Sequence, residues 1–397
     1  MNVNLPKPNP LAEHWDLSPE VVFLNHGSYG ACPRSVLEEQ ARLRAHIEAE
    51  PVRFFNEEIE ERLDFARARL ADFVGADADD LAFVSNATSG VSTVLRSLHL
   101  SPNDELLVTD HEYNACRNAL DYVAGRAGAA VVVAHIPFPI KDPAQAVDAL
   151  LSKVTSRTKL VLFDHITSPT GLVLPAEEIV KKLNERGVDS LVDGAHAPGQ
   201  LDLKLDELGA TYYTGNCHKW MCTPKGSALL YVRRDRQQQI KPLAISHGAN
   251  STRRDRSRFR LEADWTGTSD PTPYLCVPHA IKEMASLYPG GWADLRSKNR
   301  ELALQGRDML LEVTGGAAPC PDEMISHLAG ILLPEDTTPY EGFYEDPLQD
   351  ALIAEHAVQV PIMRWPALKA RILRISAQAY NSPAQFEHLA SALKALL

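Results

Sequence analysis

At 397 residues and 45% hydrophobic composition, the chain can bury a large core in two or more domains, which excludes a disordered protein or a mini-scaffold. Its formal net charge of −12 argues against nucleic acid as a partner, because phosphate backbones are bound by basic patches. Six cysteines without a CxxC pair or zinc spacing, no signal-type apolar core and no run near the ~18 residues of a membrane span predict a soluble cytoplasmic protein with free thiols, no metal and no membrane contact.

From about residue 21, short apolar runs alternate with segments of helical length. "LAFVS" (81–85) precedes "NATSGVSTVL", whose small and hydroxyl residues open a helix. "ELLVTD" (105–110) leads through "TDHEYNA" into the helical "CRNALDYVAGRAG", then "AAVVVAH" (129–135) and "KLVLFDH" (159–165) follow. "PAEEIVKKLNERG" has Pro at its start and Gly at its end, the usual helix punctuation. "SLVDGAH" (190–196) and "ALLYV" (228–232) flank the stretch "TYYTGNCHKWMCTPKG" (211–226). Val- and Leu-rich runs without clean alternation suit strands buried on both faces of a mainly parallel sheet. Their alternation with helices predicts an α/β domain over 21–275. The basic run "TRRDRSRFR" (252–260) reads as a solvated loop or subunit contact, with an acidic partner as the alternative. From Val277 the pattern is helical, then offers strands near "HLAGILL", "VQVPI" and "ILRIS" and a helix after Pro383. This predicts a smaller α+β domain over 276–397, completed by residues 1–20.

Ligands of open α/β sheets collect at the carboxyl ends of the strands. After 81–85, backbone N–H groups with the Thr88 and Ser89 hydroxyls offer a phosphate site, although Asn, Thr and Ser also serve as ordinary N-caps. After 105–110 stand Asp110, His111 and Tyr113; a tyrosine there either stacks on a ligand or packs in the core. Asp193 ends another strand, with His196 three residues on; an acid there is also an ordinary cap. Lys219 lies between Cys217-His218 and Trp220-Met221, where burial opposes its charge, and a lone lysine would otherwise snorkel to solvent. A phosphate cradle, an aromatic, an acid and a desolvated lysine, in that order at strand ends, fit pyridoxal 5'-phosphate (PLP).

The words "LNHGSYGACPRS", "AEPVRFF", "FVSNATSGV", "DHEYNA", "TSPTGLVLP", "VDGAHAPG", "GNCHKW", "WTGTSD", "VPI" and "LRISAQAYNS" run in order from about 21 to 383. Through them the chain resembles the class V aminotransferases of fold type I, the superfamily of the cysteine desulfurases, and within it the isopenicillin N epimerase-like proteins. The resemblance implies a mainly parallel sheet of the seven-stranded type flanked by helices. It implies that Lys219 is the Schiff-base lysine, that Asp193 pairs with the pyridine nitrogen, and that Tyr113 stacks on the ring. Ala87, Thr88 and Ser89 would hold the phosphate, helped by Asn216 and His218, and Ser168 joins this cofactor-binding set. His196 would lie near the phenolate oxygen, where related enzymes carry Gln. Thr268 would reach the phosphate from the second subunit of a homodimer. Arg374 would fork onto a substrate carboxylate, with Asn25 and His26 beside it.

The implied chemistry is an external aldimine with an amino acid and loss of the Cα proton to Lys219. Desulfurases need a mobile cysteine shortly before the carboxylate-binding arginine; here the last cysteine is Cys320, and "EHAVQVPIMRWPALKARIL" has none. Inversion at Cα needs a donor on the face opposite Lys219, for which Tyr113, His111 and His26 are candidates. The expected activity is an amino-acid epimerase, with a C–S or β-lyase as the alternative and an aminotransferase third. A non-enzymatic scaffold is out of keeping with Lys219, Asp193 and Arg374 together.

Overall fold

The computed structural model describes residues 5–337, 346–367 and 369–397, so the first four residues of the N-terminal segment lie outside the described residues. In chain order the strands are β1 (Val22–Phe23), β2 (Leu81–Val84), β3 (Glu105–Thr109), β4 (Ala130–Ala134), β5 (Thr158–Asp164), β6 (Asp189–Asp193), β7 (Tyr212–Asn216), β8 (Ala228–Val232), β9 (Leu328–Leu333), β10 (Val358–Gln359), β11 (Ile362–Arg364) and β12 (Arg371–Ser376).

A seven-stranded sheet has the order β2-β8-β7-β6-β5-β3-β4. Strands β4, β3, β5, β6 and β7 are parallel to one another, whereas β8 runs antiparallel to both β7 and β2. The fold is therefore α/β with a mainly parallel sheet. Its continuous apolar runs have a direct cause. In β5, Val161 and Phe163 join one core cluster while Leu160 and Leu162 join the other, so both faces are covered. Each such side chain contributes about 1.5–3 kcal/mol of burial. Strand β7 was not among the predicted strands, because "YYTGN" has no Val or Leu run, yet all five residues are buried.

A second, antiparallel sheet has the order β11-β12-β9, and β1 pairs in parallel with β10 through Val22↔Val358. "VQVPI" is thus two short strands rather than one, broken at Val360-Pro361. Leu328, Ile331, Leu373 and Ile375 of this sheet belong to the same cluster as Val161 and Phe163, so one continuous core joins the two sheets. The final helix, Pro383–Leu396, opens with a capping box between Ser382 and Gln385.

The basic run is not a free cationic patch. Arg253 pairs with Glu60, Arg256 with Asp64, and Arg260 with Asp79 and Asp264, which ties this segment to the helix Ile59–Val74 and its surroundings. Among the described residues, no helix is long and apolar enough to cross a membrane.

Candidate active site

Parallel strands place their carboxyl ends on one edge, and the register puts Asp164 of β5 beside Asp193 of β6, with Thr214 of β7 next. The turn after β7 carries Lys219. Its Nζ lies 3.2 Å from Nε2 of His196. Burial, then the nearby Arg374 guanidinium, pull the Lys219 amine down to about 7, so near neutral pH much of it is a free base.

His196 is buried and neutral, its proton affinity lowered by burial and then by Lys219. The Trp220 indole N–H, which can only donate, points to His196 Nδ1 at 3.4 Å. That leaves the ring proton on Nε2, facing the lysine. Asp193 accepts from the Cys116 thiol at 3.1 Å and from the Ala195 N–H at 2.8 Å. Burial raises its carboxyl. Glu112 is raised much further, by burial and then by Asp164 and Asp193. Ligand atoms of Glu112, Cys116 and Asp193 all lie within 4.8 Å of one another.

Both carboxyl oxygens of Glu112, and Oδ2 of Asp164, are buried without a hydrogen-bond partner among the described residues. A floor so rich in carboxyl groups fits a ligand edge that brings a positive N–H, as the pyridine nitrogen of PLP does. At the other end, the helix Ala87–Ser97 begins with small residues, capped by Asn86, whose Oδ1 accepts from the Ser89 N–H at 2.8 Å. The Ala87 N–H donates to Asn216 Oδ1 at 2.8 Å, and Ser85 and Ser89 hydroxyls lie 2.9 Å apart. Such a helix start, half-buried at Thr88 and Ser89, fits a phosphate. His218 donates from Nδ1 to the Ser227 carbonyl at 2.8 Å, and burial lowers it to about 4. It can offer a second N–H to an anion only as an imidazolium.

Tyr113 directly precedes the helix Asn114–Ala127 and is 39% exposed, leaving its ring accessible. Arg374 of β12 is buried; its Nη1 donates to the Ser168 carbonyl and hydroxyl, and Nη2 to the Ser28 hydroxyl at 3.3 Å. Ser168 thus sits with Arg374 rather than with the 87–89 helix start. Asn25 accepts from the Ser28 hydroxyl, and His26 is 0% exposed beneath Lys219. Thr268 is exposed on the wall of a cleft of about 770 Å³ with Val52, Phe55 and Trp265. Among the described residues it makes no hydrogen bond to Lys219, Asp193 or the 87–89 turn. His111 has Nδ1 on Thr170 and Nε2 on the Ile136 carbonyl, both engaged and buried.

Asp164, Glu112, Cys116, Trp220 and Ser28 also stand at the site, beyond the candidate residues named from the sequence. Asp164 carried the same signal as Asp193, an acid closing an apolar strand. Glu112 and Cys116 carried none, since their value lies in a contact with a strand some 80 residues away.

The class V aminotransferase family model matches residues 22–314. The isopenicillin N epimerase of Streptomyces clavuligerus is 35% identical over 394 residues, covering 96% of each chain. An L-cysteine desulfhydrase of Arabidopsis thaliana is 27% identical over 408 residues, covering 95% of this chain and 88% of the relative. Among solved structures, C-DES, a mutant with glycine covalently linked to its PLP cofactor, superimposes with a TM-score of 0.79 at 20% identity, covering 96% of this chain and 98% of that one. By the family model and the long match to the epimerase, the chain belongs to the class V aminotransferases.

Proposed function

We propose that this protein is a PLP-dependent enzyme that removes the Cα proton of an amino acid and returns one to the opposite face, an epimerase resembling isopenicillin N epimerase. The observation that carries the reading is the buried Lys219 amine, held near neutral proton affinity between His196 and a floor of carboxyl groups. Bound PLP supplies an electron sink for the pair left at Cα. Asp193, its two oxygens fixed by Cys116 and Ala195, would pair with the pyridine nitrogen. The helix start at Ala87, Thr88 and Ser89, with Asn216, would hold the phosphate, joined by His218 when it is protonated, and Tyr113 would cover the ring. His196, with its proton on Nε2, would offer it to the ring oxygen. Arg374, oriented by Ser168 and Ser28, grips the α-carboxylate. Lys219 Nζ takes the proton from Cα on its own face. Tyr113, its ring exposed where it precedes the helix Asn114–Ala127, serves the other face.

The match to an L-cysteine desulfhydrase supports a second reading, C–S cleavage, in which the same proton removal expels a β-sulfur group. A persulfide-carrying cysteine does not fit, because Cys320 is buried and burial pushes its thiol up to about 11. The active unit is a homodimer in which Thr268 serves the partner's phosphate site, and six free thiols suit a cytoplasmic setting. Proton NMR in deuterium oxide, with PLP-loaded enzyme and a panel of L-amino acids, cysteine conjugates and aminoadipyl peptides, tests the reaction. Loss of the α-proton from an intact molecule with scrambled chirality is the expected result; pyruvate and ammonia from a sulfur-bearing substrate would establish the lyase instead.

A further inference from the structure

One short element touches both the lysine and the arginine. The turn His26–Tyr29 sends the His26 ring under Lys219, where Nε2 lies 3.0 Å from the Lys219 carbonyl. His26 Nδ1 accepts from the Ala31 N–H at 3.3 Å and from the Tyr380 hydroxyl at 2.8 Å. With Nδ1 an acceptor, the ring proton sits on Nε2 and is donated to that carbonyl, which also accepts from the Cys222 N–H at 3.1 Å. The turn closes at Gly30 with φ of 72°; a Cβ there would stand 2.4 Å from the His218 carbonyl oxygen and 3.0 Å from Lys219 Cα. Lys225 Nζ donates to the Gly30 carbonyl at 2.8 Å, so the turn and the lysine loop are bonded twice over.

The other side of the same turn meets the arginine strand. Ser28 Oγ lies 3.3 Å from Arg374 Nη2, and the Gly27 N–H donates to Ser376 Oγ at 3.0 Å. Behind His26, Gln378 Nε2 approaches at 3.4 Å, while its Oε1 accepts from Asn299 at 2.9 Å. A polar ring is costly to bury unless its nitrogens are paired, as both are here, and packing alone would be served as well by phenylalanine. What histidine adds is an acceptor for Ala31 and Tyr380 and one directed N–H at the backbone of Lys219.

We propose that the His26–Tyr29 turn is a positioning element, with His26 setting the seat of Lys219 and Ser28 the setting of Arg374, so that amine and carboxylate fork keep one spacing. This rests on the cofactor role given to Lys219. The test compares His26→Leu, His26→Gln and Ser28→Ala in full-length protein. Two quantities are read: the rate at which added PLP becomes linked to Lys219 in a borohydride-trappable form, located by peptide mass, and kcat and KM for α-proton exchange. His26→Leu slows linking and lowers kcat about ten-fold, the effect of one buried hydrogen bond, with KM within about three-fold. His26→Gln, which again offers an N–H near the Nε2 position, recovers most of both. Ser28→Ala raises KM about three- to ten-fold and leaves the linking rate unchanged. Should the leucine variant fail to fold, His26→Asn, polar but too short to reach the carbonyl, replaces it with the same expectation. Wild-type linking rates in His26→Leu, or losses of both quantities together in every variant, would overturn the proposal. A wild-type protein that forms no link at Lys219 overturns the cofactor reading itself.

Discussion

Two buried groups of opposite type share the floor of this site, and their pH signatures run in opposite directions. The Lys219 amine has a usual value of 10.5 and is lowered to about 7 by burial. Its unfolded form holds the proton over that window while the folded form releases it, so stability rises with pH between about 7 and 10.5. Cofactor-free Lys219→Met is therefore more stable than wild type at pH 7 and below, by up to roughly 5 kcal/mol, and the gap closes toward pH 10.5. Urea melts at pH 6.5 and 9.5 with an unchanged gap would refute this. Glu112 is raised by burial and by Asp164 and Asp193. Its unfolded form ionises above about 4.5, so the wild type loses stability as pH rises from there. Cofactor-free Glu112→Gln gains on wild type from pH 5 to 8 in the same melts, and equal stability at both ends would contradict a neutral Glu112. Lys219 and Asp193 were legible because a lysine among apolar neighbours and an acid ending a strand each mark themselves locally. Glu112 and Cys116 were not, because only folding brings them to Asp193.

At the level of elements, the site depends on how closely two loops pack. The loop after β6 lies against the lysine turn, and Gly199, with φ of 95°, has Trp220 backbone atoms 2.6 Å from where a Cβ would stand. A backbone neighbour cannot swing aside as a side chain can. Gly199→Ala is expected to cost at least about 2 kcal/mol in denaturant melts and to lower the fraction of chains able to link PLP at Lys219. A variant with wild-type stability and linking would show that the loop yields freely. The same logic explains what was readable in the elements. Strands β3, β5 and β6 are covered on both faces, so each has consecutive apolar residues at its centre. Strand β7 is equally buried but ends in "TGN", where Asn216 must reach Ala87 and Gly215 lies against Pro198. Its composition serves the site more than the sheet.

Across the whole molecule, the site residues run along the sheet edge from Ala87 after β2 through Lys219 after β7, Asp193 and Asp164 to Tyr113 after β3, an order different from that of the chain, and Arg374 joins them because β12 packs on the same core. Their place at strand ends was visible in the sequence; their order along the edge and the outward placement of Thr268 were not. Thr268 stands on a cleft wall with Phe55, Trp265 and Val52, the last 71% exposed. Behind it the Arg253–Glu60, Arg256–Asp64 and Arg260–Asp264 pairs hold the segment in place before any second copy arrives. If this wall serves the phosphate site of a second copy, two separately disabled chains complement each other. Lys219→Ala and Thr268→Asp chains, unfolded together and refolded as an equal mixture, place half of the dimers in the mixed state. In a mixed dimer, the site with an intact lysine receives an intact Thr268 from its partner, while the other site carries both defects. Activity then returns to about a quarter of wild type, given random pairing of two-fold dimers. Were Thr268 to act within its own chain, every site would keep one defect and the mixture would stay as inactive as its parents. Sedimentation of the mixture as a dimer, with activity recovered only after refolding together, is the expected outcome; inactivity of a sedimenting dimer would assign Thr268 to its own subunit.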